Sequence, residues 1–178
     1  ALDIAGRFLP DLGPEERALL LTQIKRGAGT VPTSSCGRLF DAVSALLGIC
    51  TVNRYEGQAA AELEAAARQL AEKPYDYEVR KENGGWIMDA MPMWEQLVLD
   101  LEWGESVSRM AARFHRTVVS MMLEVLDRVR SETGLDRVVL SGGVFHNQLL
   151  LVELRQLLES KGYAVYDQRL VPPGDGGI

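Results

Sequence analysis

The stretch Arg137-Val138-Val139-Leu140-Ser141-Gly142-Gly143-Val144-Phe145-His146-Asn147 decides how the rest of the chain is read. Val138-Val139-Leu140 is apolar, β-branched and short, as a buried strand is. Ser141-Gly142-Gly143 breaks the run, and Asn147-Gln148-Leu149-Leu150-Leu151-Val152-Glu153-Leu154-Arg155 begins a helix. Glycines let the backbone turn tightly and approach a flat or charged group that a Cβ would push away. The N–H groups of a helix's first turn, with its dipole, favour an anion or a polar ligand edge. A Gly-Gly after a strand also occurs in plain turns, so the surrounding chain has to choose. Downstream, Gly162 stops the helix and Tyr163-Ala164-Val165-Tyr166 reads as a second short strand. Strand, helix and strand in this order predict a parallel βαβ unit.

Pro172-Pro173-Gly174-Asp175-Gly176-Gly177 follows that second strand. Two prolines and three glycines around one acid form a stiff loop that presents Asp175, either as a surface turn or as a ligand-facing group. Loops at the carboxyl ends of adjacent parallel strands face one crevice, so Gly142-Gly143 and Asp175 are expected to converge on it.

Upstream the pattern is helical. Pro14-Glu15-Glu16 and Lys25-Arg26 before Gly27 are ordinary helix start and stop signals. In Thr33 to Gly48, Ser34 or Ser35 can cap, and Leu39, Phe40, Val43, Leu46 and Leu47 recur at helical spacing. Asp41, within the first two turns, can simply complement the helix dipole. Gly37 in the first turn points to close approach by another group, and Gly48 to the helix end. Ala59 to Leu70 reads as a tightly packed helix whose charges, Glu62, Glu64 and Arg68, form a solvated face. Tyr75 to Arg80, Gly84-Gly85 and Trp86-Ile87-Met88 predict a hairpin. Pro92 opens a helix to Trp103, and a long one runs from about Ser106 to Thr133 with Met and Val positions at core spacing. His115 on that helix is a packing or hydrogen-bonding histidine or, alternatively, a ligand.

The chain has 178 residues, 47% hydrophobic, enough for a substantial core. A formal net charge of −6 argues against nucleic acid as the main partner. Its two cysteines, Cys36 and Cys50, fit reduced thiols in a helical pattern. No apolar run approaches a membrane span and no leader pattern is visible, so the expectation is a soluble, cytoplasmic protein. The absence of an initial methionine and the close at Asp175-Gly176-Gly177-Ile178 lead us to expect a piece of a longer protein.

The blocks TSSCGRLFDAVSALLG (33–48), YEGQAA (55–60), RFH (113–115), VVLSGGVFHN (138–147) and VPPGDGGI (171–178) together resemble the C-terminal domain of the HypF family of hydrogenase-maturation carbamoyltransferases. That domain is related to the enzymes that form threonylcarbamoyladenosine on tRNA. The resemblance implies an α/β fold: a helix-rich, partial ribonuclease-H-like lobe of the actin, sugar kinase and heat-shock ATPase superfamily. Residues 1–178 would be a single fragment, most of the second lobe, with a short parallel βαβ near its C-terminus.

The same resemblance implies the site. Gly142 and Gly143 would line the adenosine, Asn147 would contact the nucleotide and Asp41 would hold the ribose hydroxyls. Gly57 would form the glycine turn facing that sugar, with Glu56 a second candidate beside it, and Asp175 would help hold a divalent metal (iron, zinc or magnesium). No catalytic nucleophile is assigned. The implied substrates are carbamoyl phosphate and ATP, joined as carbamoyl-adenylate, and the implied partner is HypE, whose C-terminal cysteine receives the carbamoyl group. Neither a membrane nor nucleic acid is expected as a partner. His146 stands where glutamine is more usual in the family, and Arg38 where the tRNA-modifying relatives carry an acid. A tRNA threonylcarbamoyl transferase and a nucleotide-binding fragment without activity are the alternatives.

Overall fold

The computed structural model describes residues 12–67 and 72–174, and the chain divides into two compact units after Ala59. In the first unit, α1 (Pro14–Arg26) begins on the proline expected there. Glu16 Oε2 accepts from the Gly13 N–H at 2.8 Å, and Gly27 ends the helix in the left-handed region at φ 64°. This helix has no buried residue. The next, α2 (Cys36–Leu46), is capped by Ser35, whose Oγ accepts from the Arg38 N–H, and it buries Phe40, Val43 and Ser44 on one face. Gly48, at φ 69°, closes it: the N–H groups of Gly48 and Ile49 donate back to the carbonyls of Ala45 and Ser44. That doubly bonded left-handed ending is why glycine stands there. At Gly37 a Cβ would meet only Ser35 Oγ, at 3.6 Å, so the close neighbour expected from the sequence is not found in the described chain. Cys36 and Cys50 are free thiols, and burial pushes that of Cys36 up to about 11.

Next comes α3 (Gln58–Ala66), shorter than the expected run to Leu70; residues 68–71 lie outside those described. The hairpin is β1 (Glu78–Glu82) with β2 (Gly85–Asp89), antiparallel, in register Glu82↔Gly85. Its two-residue loop, Asn83-Gly84, has both φ angles positive, 50° and 81°, the turn whose twist suits a right-twisted ribbon. Two helices follow, α4 (Met91–Glu102) and α5 (Val107–Thr133). Ser106 Oγ caps α5 by accepting from the Arg109 N–H, and Gly134 ends it at φ 73°. The burial of α5 is concentrated in its first half: Met110, Ala111, Phe114, His115, Val118 and Val119 are all at or below 2% exposure. Beside them, Asp100 on α4 accepts from the Tyr75 hydroxyl at 2.8 Å and pairs with Arg113 at 2.6 Å. Burial first, and the Asp100 carboxylate second, raise the Tyr75 phenol well above its ordinary range.

The βαβ unit forms as read. Strands β3 (Arg137–Leu140) and β4 (Ala164–Asp167) run parallel in register from Arg137↔Ala164 to Leu140↔Asp167. Between them lie a short 3-10 turn (Gly143–His146) and α6 (Gln148–Ser160). Leu150, Leu154 and Leu158, spaced by four, make the buried stripe of α6, which packs on α5 and β4. Burying such a stripe is worth about 1.5–3 kcal/mol per leucine relative to exposure. Val138 and Leu140 face inward, whereas Val139 and Tyr166, partners in the register, are 70% and 54% exposed. The second unit is thus a helix-rich α/β arrangement carrying a two-stranded parallel sheet near its C-terminal end. No helix among the described residues is long and apolar enough to cross a membrane.

Candidate nucleotide-binding site

The carboxyl ends of β3 and β4 come together as parallel pairing requires. Gly142 adopts φ 105°, a conformation L side chains rarely take, and its N–H donates to the Pro173 carbonyl at 2.9 Å. Gln168 adds a second tie. With its amide turned as its neighbours require, the nitrogen donates to the Pro172 and Pro173 carbonyls at 3.1 and 3.2 Å, and the oxygen accepts from Ser141 Oγ at 3.2 Å. A Cβ at Gly174 would lie 3.0 Å from His146 Nε2 and 3.5 Å from Gly143 Cα, so this glycine permits the close approach of the two loops. Over Gly142 and Gly143 themselves a Cβ would meet no described atom within 4 Å, which leaves open space above the turn. Loop residues through Gly174 therefore adjoin the Gly-Gly turn. Asp175, the proposed metal ligand, lies outside the described residues. Among the described residues no group of three or more His, Cys, Asp or Glu side chains could hold a metal ion.

Asn147 sits at the junction of turn and helix and is only 6% exposed. It is the N-cap of α6 rather than its first residue: Oδ1 accepts from the Leu150 N–H at 3.0 Å. Its amide nitrogen lies 3.0 Å from Nε2 of His115, which is fully buried, and the His115 Nδ1 lies 2.8 Å from the Ala111 carbonyl. One tautomer satisfies both contacts. Nδ1–H donates to Ala111, and unprotonated Nε2 accepts from Asn147. Desolvation lowers the His115 pKa to about 4, so the ring is neutral near pH 7. The hydrogen-bonding reading of His115 is the one the geometry supports.

The first-turn amides expected to attract an anion are already occupied. Glu64 of α3 accepts through Oε1 from the N–H groups of Gln148 at 2.8 Å and Leu149 at 3.3 Å. Reading Glu64 as part of a solvated face is thereby corrected: it is half-buried and caps a helix 84 residues further on. No local pattern in the sequence could have found it.

The remaining site candidates lie in the first unit. Asp41 is partly buried and its Oδ2 meets Arg38 Nη2 at 2.7 Å, one helical turn away. Glu56 and Gly57 are exposed in the turn entering α3, where Gly57 has φ 78°. That turn is tied from within: Asn53 Oδ1 accepts from the Ala59 N–H at 3.0 Å and Gln58 Oε1 from the Arg54 N–H at 2.7 Å. A glycine turn beside an exposed acid, and a carboxylate held by an arginine, are groups suited to a sugar's hydroxyls.

Residues 2–178 match the family model described as carbamoyltransferase, Kae1-like domain, second subdomain. The chain belongs to this family, that of the carbamoyltransferase HypF. It is 36% identical over 184 residues to "Carbamoyltransferase HypF" of Rhizobium leguminosarum bv. viciae, covering 100% of this chain and 23% of that protein. The crystal structure of full-length HypF in the phosphate- and nucleotide-bound form superimposes with a TM-score of 0.90 at 38% identity, over 98% of this chain and 23% of that one. HypF of T. kodakarensis gives a TM-score of 0.77 at 28% identity, over 97% and 22%. The chain thus spans less than a quarter of the length of these relatives.

Proposed function

We propose that this chain is the adenosine-binding part of a carbamoyltransferase that uses carbamoyl phosphate and ATP, by way of carbamoyl-adenylate, to carbamoylate the C-terminal cysteine of HypE in the cytoplasm. The observation that carries this reading is the Gly142 N–H to Pro173 carbonyl bond, which joins two glycine-rich loops at the carboxyl ends of adjacent parallel strands. A nucleotide bound in a solved relative supports it. In the transfer, the thiolate sulfur of HypE bonds to the carbamoyl carbon and the carbon–oxygen bond to the adenylate phosphate breaks, releasing AMP. Gly142, Gly143, Asn147, Asp41, Gly57 and Glu56 would bind and orient the adenosine. The activated intermediate carries the reactive bond, so the protein's contribution is positioning and electrostatics. A divalent metal with Asp175 among its ligands belongs to this reading, but the described residues offer no ligand set, and no step is routed through it.

Two measurements test the proposal. Asp41→Ala in the full-length enzyme should weaken ATP by about ten- to thirtyfold, through loss of charge-assisted bonds to ribose hydroxyls. Calorimetry finding unchanged affinity in a folded variant would remove Asp41 from the site. This 178-residue chain by itself should not hydrolyse ATP in the presence of carbamoyl phosphate. Phosphate release above background by the purified chain would show that it holds a complete active centre.

A further inference from the structure

The opening of α6 presents four backbone N–H groups with no partner in the preceding turn of helix, and it is the positive end of the helix dipole. Three of those donors go to side chains: Gln148 and Leu149 to Glu64, and Leu150 to Asn147. The fourth, that of Asn147 itself, donates to the Val144 carbonyl at 3.1 Å. An internal carboxylate therefore occupies the place a phosphate takes at an open helix start. The Gly142–Gly143 turn, a few residues upstream, has no such plug among the described residues, and a Cβ there would meet none of their atoms within 4 Å. An anionic ligand group brought against α6 would have to displace Glu64 or sit beside its charge. An uncharged ring over the glycines would meet neither obstacle.

We propose that Glu64 is a specificity-determining residue. It closes the start of α6 to anions, so that the turn receives the uncharged nucleoside end of the ligand and the phosphates lie away from α6. This rests on the nucleotide reading above and adds to it the direction in which the ligand lies. A purely structural cap would stabilise the helix without governing which chemical group can approach it.

The experiment is a titration of the 178-residue chain followed through its backbone amide NMR signals, with inorganic phosphate as one probe and adenosine as the other. In the unaltered chain, phosphate should leave the Gln148 and Leu149 amides unmoved. In Glu64→Ala the same two amides should shift saturably, with phosphate affinity raised at least about fivefold. Glu64→Gln keeps an acceptor but drops the charge; it should respond more weakly, and it decides the matter if Glu64→Ala does not fold. Saturable phosphate shifts at Gln148 and Leu149 with Glu64 in place would overturn the proposal. So would their absence from both folded variants. Adenosine should move the Gly142 and Gly143 signals of the unaltered chain. If it does not, the nucleoside reading fails, while the phosphate response of the variants still reports on Glu64.

Discussion

Asn147→Ala should lower the stability of this chain by about 2–4 kcal/mol, with the urea midpoint moving accordingly. Two losses combine. The helix start loses its cap, because Leu150 no longer has Oδ1 to donate to, a change worth about 1 kcal/mol. The larger loss is at His115, whose Nε2 is left in a fully buried position without its donor, at about 1–3 kcal/mol. Asn147→Asp separates the two effects. It keeps a capping oxygen but cannot donate to a neutral imidazole, so the histidine must take a second proton to satisfy the contact. That variant should retain the helix cap and raise the His115 pKa, read directly from the imidazole carbon-bound protons. A loss of less than about 0.5 kcal/mol in Asn147→Ala, the range of ordinary surface changes, would show that the pair is not a stabilising unit.

Acidification should destabilise the chain well before carboxylates titrate fully. The His115 pKa is lowered from 6.5 to about 4 in the folded protein, chiefly by desolvation. Between those values the unfolded chain binds a proton that the folded chain does not, so stability rises with pH across the window. The contribution is fully present above about pH 6.5 and is lost as pH falls towards 4, amounting to about 3 kcal/mol at the lower limit. Protonation would also turn Nε2 into a donor facing the Asn147 amide nitrogen, a donor against a donor. Urea unfolding at a series of pH values checks this. His115→Gln, whose side chain carries no titrating proton, should flatten the slope between pH 6.5 and 5. The same slope in that variant would place the titration elsewhere.

Much of the second unit was legible because its signals are local. The Val138–Leu140 run, the Gly142-Gly143 break, the Gly162 stop and the Tyr163–Tyr166 run specified a parallel βαβ, and only the boundaries moved: α6 starts after Asn147, and β4 runs from Ala164 to Asp167. Caps at Ser35, Ser106 and Gly48 follow from single residues whose backbone preferences are strong. The support beneath the site was not legible. Glu64 reaches Gln148, and His115 reaches Asn147, across 84 and 32 residues. Periodicity reports which face of a helix is apolar, and it says nothing about which distant donor a polar side chain on that face will meet. Gln168, which no sequence pattern singles out, ties the proline-rich loop to Ser141.

The sheet of β3 and β4 bears on handling the chain in solution. Parallel strands are normally sandwiched between layers, yet Val139 and Tyr166 lie side by side, largely open to water. Such a strip is adhesive. Preparations of the chain should self-associate as concentration rises, with light scattering increasing faster than linearly. Nucleotide stoichiometries are then meaningful only at dilutions where the particle mass is constant. Charge placed on the strip, as in Val139→Lys, should suppress the association and leave the inward-facing Val138 and Leu140 undisturbed.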